Sequence, residues 1–447
     1  MPIDSVPALI SALRESHSLA PARMEEVAST LQGRFQSPRL LAKELLQRGW
    51  LTAFQLNKLF QGRVRELIVG PYVLLERIGE GGMGQVFKAW HRHMDRIVAL
   101  KIIRKDRLDN PETARRFLRE IEVAARLSHP NIVAAYDAGE VGGTRYIALE
   151  YVEGIDLAKL VKQSGPLPVD QACDSVRQTA LGLQHAFERG LVHRDIKPSN
   201  LLLTGARGEG RGAKEDTGAI PLAPRSSPLA SVIKILDMGL ARLQSSETEA
   251  ENITEFQATL GTPDFISPEQ ARDARSADIR ADLYSLGCTF YFLLTGKVPF
   301  PSAAPMEKLL KHWMEQPTAI EELRPEVSSE VADIVRKLMA KRPEDRYQTP
   351  IELIAALSNL SVLEVPPEVL AVLPPARPKS DPHRPGRVPT PMQETVVPSS
   401  VDDTAEGPII RVEIARPSRR AQMIQLTIAS IAVAVLTVLL VMLLRLQ

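Results

Sequence analysis

The 447-residue chain carries 55 Lys and Arg against 54 Asp and Glu, a formal net charge of +1, with 44% hydrophobic and 24% charged residues. That is the composition of an ordinary globular protein with room for two or three domains, and it offers no global field for nucleic acid, so no nucleic-acid partner is expected. Two cysteines far apart in sequence, Cys173 and Cys288, make neither a disulfide framework nor a metal site and fit a reduced compartment.

The opening residues MPIDSVPALISALRES lack a basic stretch followed by a long apolar one, so no signal peptide is expected. Residues 1–62 read as short amphipathic helices separated by Pro21, Pro38 and the Gly49-Trp50 corner, with helix starts at Ser37-Pro38 and Thr52. They are expected to form a small helical bundle packed on itself or on the next domain, with a specific docking module as the alternative. At Pro71 the pattern turns to strand-like alternation, in PYVLLERIG and QVFKAW, and helix-rich sequence takes over from about Asp170. One domain is therefore expected over residues 71–360. Inside it, residues 204–231 are rich in Gly, Ala, Ser and Pro between the apolar pieces NLLL and VIKIL. They read as a disordered insertion in a hairpin. Residues 361–420 carry about a dozen prolines with polar residues, a composition that cannot bury enough apolar surface to fold and predicts a flexible tether.

A transmembrane helix is expected at residues 424–444. Leu426 to Leu444, LTIASIAVAVLTVLLVMLL, contains no charge and no proline, and is long enough to cross a hydrocarbon core of about 30 Å. Arg416, Arg419 and Arg420 precede it and only Arg445 follows, so the positive-inside rule predicts a single-pass membrane protein with its large N-terminal part in the cytoplasm. No external sensor domain is expected beyond the span.

The chemistry begins at Gly79-Glu80-Gly81-Gly82-Met83-Gly84-Gln85-Val86. Glycines at this spacing let backbone N–H groups approach phosphates. Alone the motif could also open a dinucleotide site, but that needs a helix directly after it. Here QVFKAW and RIVALKII follow, two strands joined by a polar turn. Lys101 on the second of these strands needs an anion to offset its desolvation; ATP phosphates and Glu120, on the amphipathic stretch RRFLREIEVAARLSHPNIV, would supply it. In His193-Arg194-Asp195-Ile196-Lys197-Pro198-Ser199-Asn200, Asp195 can accept a hydroxyl proton and Lys197 can neutralise a transferring phosphoryl group. Asn200 can ligate Mg²⁺. Asp237-Met238-Gly239, straight after VIKIL, adds a carboxylate for Mg²⁺, a cation that prefers hard oxygen ligands; Mn²⁺ is a possible substitute.

Together GEGGMGQV, VALK, the Glu120 stretch, HRDIKPSN, DMG, GTPDFISPE, DLYSLG and RPEDR resemble the eukaryotic-like Ser/Thr protein kinases, the bacterial membrane-anchored branch in particular, over about Tyr72 to Leu360. The resemblance implies an α+β, two-lobed protein kinase fold, with a small β-rich lobe, a larger helical lobe and ATP between them. It implies that the backbone of Glu150 and Val152 binds the adenine edge, with Leu149 as gatekeeper. Val86, Ala99 and Leu202 would sandwich the base, and Asp156 is a candidate for the ribose hydroxyls. Glu269 should pair with Arg346, and Asp282 should brace the catalytic loop. Thr262 looks like the residue that meets Asp195 and Lys197 beside the substrate. Thr254 and Thr259 are candidates for activating phosphorylation, with Ser245, Ser246 and Thr248 also possible and Arg194 as the phosphate's partner. The expected partners are protein substrates bearing Ser or Thr, the membrane, and a second copy of the chain acting in trans. Two rival classes are a nucleotide-binding scaffold and a small-molecule kinase. No catalytic group is missing, which argues against the first, and GTPDFISPE argues against the second.

Overall fold

Four short helices open the chain: α1 (Val6–Ser16), α2 (Pro21–Glu26), α3 (Pro38–Gln47) and α4 (Ala53–Phe60). The computed structural model describes residues 3–81, 84–104, 125–205, 231–238, 263–273, 277–302 and 304–360. Ser5 caps α1 by accepting from Ala8 N at 3.3 Å. Thr52 and Gln55 form a reciprocal capping box at the start of α4. The apolar stripes of these helices converge on one core, in which Leu9, Leu13, Leu41, Leu45, Leu59 and Leu67 have no exposure. Each such leucine contributes about 1.5–3 kcal/mol relative to an exposed one. The bundle packs both on itself and, through α4, on the strand that follows.

That strand belongs to a six-stranded antiparallel sheet in the order β1-β2-β3-β4-β6-β5. Its members are β1 (Ile68–Val69), β2 (Tyr72–Gly81), β3 (Gly84–His91), β4 (Arg96–Ile103), β5 (Ala135–Val141) and β6 (Thr144–Glu150). Tyr72, Leu74, Phe87, Ala89, Val98, Leu100 and Ala148 fill the core against it. A smaller antiparallel sheet, β7 (Ile155–Asp156), β8 (Leu201–Gly205) and β9 (Ser231–Ile235), lies on the helical lobe. β8 and β9 pair from Leu201↔Ile235 to Gly205↔Ser231, so the strands flanking the biased stretch form a hairpin; residues 206–230 lie outside the described residues.

The helical lobe begins earlier than the sequence pattern suggested. Its first helix is Leu157–Ser164, not one near Asp170, because Asp156 accepts from Lys159 N at 2.8 Å and starts it. The lobe is built around Ile279–Thr295, almost wholly buried, with Val169–Phe187, Ser329–Leu338 and Pro350–Ser358 around it. Gly287 allows a close helix crossing: a Cβ there would lie 2.6 Å from Leu338 Cβ. Among the described residues no helix is long and apolar enough to cross a membrane, and Leu426–Leu444 lies outside them.

Glu269 and Arg346 meet as expected. The Arg346 side chain has no exposure and its donors are all used: Nη1 and Nη2 reach Glu269 Oε1 and Oε2 at 2.7 and 2.9 Å. The remaining donors reach the carbonyls of Ala340, Arg280 and Lys341 at 2.8, 2.9 and 3.0 Å. Removing one partner strands the other charge and the carbonyls. Arg346→Ala should therefore cost about 3–5 kcal/mol in denaturant unfolding, and Glu269→Gln/Arg346→Met should recover part of that loss.

Candidate active site

The loop His193–Asn200 joins the helix Val169–Phe187 to β8, and one buried carboxylate shapes it. Asp282, on the helix Ile279–Thr295, accepts from His193 N at 2.7 Å and Arg194 N at 2.6 Å. Burial pushes its carboxyl up, while the two backbone donors and the charge of Arg194 oppose that. Arg194 has φ +68, a conformation that costs a non-glycine residue energy and needs such support. Gln270 Nε2 adds a bond to Arg194 O at 2.9 Å. His193 Nδ1 accepts from Asp195 N at 3.2 Å, and His193 Nε2 lies 2.8 Å from Leu236 O. These contacts assign a neutral ring with the proton on Nε2. The imidazole thus ties Asp195 to the residue just before Asp237. The sequence reading gave no role to His193 or Gln270; only the adjacency of His193 to Arg194-Asp195 could have suggested one.

The turn from Lys197 to Asn200 folds the side chains back onto Asp195. Lys197 Nζ donates to Asp195 Oδ1 and Oδ2 at 2.9 and 2.7 Å. Asn200 Nδ2 donates to Asp195 O at 2.8 Å and Asp195 Oδ2 at 2.9 Å. Both amide hydrogens of Asn200 are thereby used, which leaves its amide oxygen as a hard donor for a cation. Across the cleft, Lys101 is buried on β4 and donates to Asp237 Oδ1 at 2.8 Å. Among the described residues, the carboxylate that meets Lys101 is Asp237. Asp237 sits at φ +54. Enclosure works against its charge, but attraction and hydrogen bonding from Lys101, with help from Lys197, hold the carboxyl below its ordinary value. An amide oxygen and an ionised carboxylate are the donor types that Mg²⁺ takes, so the residues fit that ion.

The glycine motif forms the hairpin of β2 and β3, with Gly79↔Val86, Glu80↔Gln85 and Gly81↔Gly84 paired. Gly84 has a steric role of its own: a Cβ there would lie 1.9 Å from Ile102 O. Ala99 pairs with Leu149 and Val86 with Lys101, which lines the strands up along the cleft. Leu202 pairs with both Asp156 and Lys234 at its floor. At the link between the lobes, Glu150 accepts both contacts from Lys234 Nζ at 2.8 Å and one from Ala134 N at 3.2 Å. Sequence reasoning had used only its backbone. Asp156 has a local task as a helix cap, with its other oxygen on Lys159 Nζ at 2.9 Å. Gly82, Met83, Glu120, Thr254, Thr259 and Thr262 lie outside the described residues.

The Lys101–Asp237 pair sets a pH expectation. A depressed carboxyl contributes stability above its unfolded value of about 3.8, and that contribution is lost as pH falls through the lower folded value. In Lys101→Met the Asp237 carboxyl should titrate higher than in wild type, read by NMR, and acid unfolding should begin at higher pH.

Residues 72–356 match the protein kinase domain family. The serine/threonine-protein kinase PknB of Mycobacterium leprae is 35% identical over 306 residues, 68% of this chain and 44% of that protein. The probable serine/threonine-protein kinase CE0033 of Corynebacterium efficiens is 36% identical over 303 residues, 66% of this chain and 42% of its own length. The chain thus spans less than half the length of these curated relatives. The solved kinase domain of Mycobacterium tuberculosis PknI aligns at 27% identity over 65% of this chain and 96% of that one, with a TM-score of 0.48. The chain belongs to the protein kinase family, and its kinase domain is of the bacterial serine/threonine, PknB-like type.

Proposed function

We propose that the chain transfers the γ-phosphoryl group of ATP to serine and threonine hydroxyls of proteins. The observation that carries this reading is the gathering of Asp195, Lys197 and Asn200 on one braced loop, with the Lys101–Asp237 pair beside it. In the mechanism, Asp195 accepts the proton of the attacking hydroxyl as its oxygen bonds to the γ-phosphorus and the bond to the β-phosphate oxygen breaks. Lys197, already on Asp195, neutralises charge on the transferring group. Lys101 binds the α- and β-phosphates, and the Gly79–Gly84 hairpin covers them. Asn200 and Asp237 would hold Mg²⁺, which shields the β- and γ-phosphate charge when bound. Positioning and electrostatics supply most of the acceleration. Glu150 and Val152 would take the adenine edge, Asp156 the ribose if its cap loosens, and Glu120 the Lys101 ammonium in the closed state.

Two further parts of this reading rest on sequence. Leu426–Leu444 would anchor the chain in a membrane with the kinase domain in the cytoplasm. Tethered copies would phosphorylate one another at Thr254 or Thr259, with Arg194 receiving the phosphate. Autophosphorylation per molecule that stays constant across a wide dilution series would contradict action in trans.

The test is phosphotransfer from Mg-ATP to protein, with the modified residues mapped. Asp195→Asn should lower the rate by about 10²–10⁴-fold without loss of fold, and chelating Mg²⁺ should stop transfer. Wild-type chain that binds ATP yet transfers nothing would instead indicate a scaffold.

A further inference from the structure

We infer that the N-terminal helical bundle positions the glycine-rich hairpin, acting through Thr52 and Gln55 on the β2 carbonyls of Leu74 and Leu75. The bundle lies outside the residues 72–356 that match the kinase family, so it is an addition to the shared domain. The inference rests on the reading of Gly79–Gly84 as the hairpin that covers ATP.

Among the described residues, β2 has a strand neighbour on its outer side for only two residues. β1 pairs through Ile68↔Val73 and Val69↔Tyr72 and then ends. Past Val73 that edge offers backbone groups with no strand among the described residues to pair them, a situation that folded proteins must cover. At this point the β2–β3 register shifts, once between Leu74 and Glu76 and again between Arg77 and Gly79. Neighbouring carbonyls of a regular strand face opposite edges. Here the irregularity brings two in succession to α4: Thr52 Oγ1 donates to Leu75 O, and Gln55 Nε2 donates to Leu74 O at 3.1 Å.

Both donors are held in place. Gln55 N donates to Thr52 Oγ1 at 3.2 Å and Thr52 N to Gln55 Oε1 at 3.0 Å, so the capping box that starts α4 also aims its two side chains at β2. Gln55 has no exposure. Phe54, between them, packs in both cores and lies 5.7 Å from the Phe87 ring on β3. Gly79 follows Leu75 by four residues and opens the paired tip of the hairpin. The bundle therefore grips β2 where the strand bends toward the phosphates, and it sets the direction in which the glycines enter the cleft. Thr52 and Gln55 are positioning residues; neither touches the reacting atoms.

The experiment uses the full chain and compares wild type with Thr52→Val, Gln55→Met, Thr52→Ser and Ser5→Ala. The readouts are KM for ATP, kcat, melting temperature, and amide exchange of Glu76–Gly81 without nucleotide. Thr52→Val and Gln55→Met should each raise KM for ATP about 5-fold, the size of one lost hydrogen bond, and speed exchange in Glu76–Gly81. Thr52→Ser should restore both values. Ser5→Ala, which removes the cap of α1 and not of the α4 that bonds to β2, should lower the melting temperature and leave KM and exchange unchanged. Wild-type KM and wild-type exchange in both Thr52→Val and Gln55→Met would overturn the inference, as would an equal KM rise in Ser5→Ala. If wild type transfers no phosphate, the kinase reading fails, and exchange at Glu76–Gly81 still decides whether the bundle controls the hairpin.

Discussion

The site depends on a carboxylate that never meets a substrate. Asp282, fully buried, takes the N–H groups of His193 and Arg194, and this forces the chain through the left-handed conformation of Arg194. Without that reversal Asp195 would not turn back toward Lys197 and Asn200. A buried anion is costly unless hydrogen-bonded, so the two amide donors and Asp282 require each other. The bond from Gln270 to Arg194 O extends the same frame to the start of the Pro268–Arg272 helix, whose Glu269 is locked to Arg346. One continuous set of polar contacts therefore runs from the floor of the helical lobe to the catalytic loop.

A second set joins the lobes. Lys101 on β4 holds Asp237, and His193 reaches Leu236 O beside it. Glu150 at the lobe junction holds Lys234 on β9. These links bring the groups proposed for phosphate, metal and proton together across the cleft, the kind of preorganisation that makes electrostatic catalysis effective.

Much of the site was legible because its chemistry is local. Asp195, Lys197 and Asn200 are separated by two and five residues, so their spacing places all three on one short loop even before the brace that shapes that loop is known. The two strands after the glycines distinguished this site from a dinucleotide fold by periodicity alone. Glu269 and Arg346 are far apart in sequence, and only the family resemblance paired them. The helix start at Leu157 was missed because Asp156 was read for a ligand and not as a cap. Thr52 was legible as a helix start, yet its second bond, to Leu75 O, was not: that bond exists only because the bundle and β2 meet in three dimensions. His193 was silent for the same reason, since its partner Leu236 lies just past β9, far along the chain.

The most direct test of this account is phosphotransfer by Asp282→Asn, measured beside ATP binding and melting. The amide can accept only one of the two backbone N–H groups and turns its own donors toward the other. The account predicts a folded protein that still binds ATP, with kcat reduced by about 10²-fold or more through misplacement of Asp195. A folded Asp282→Asn protein with wild-type kcat would contradict it.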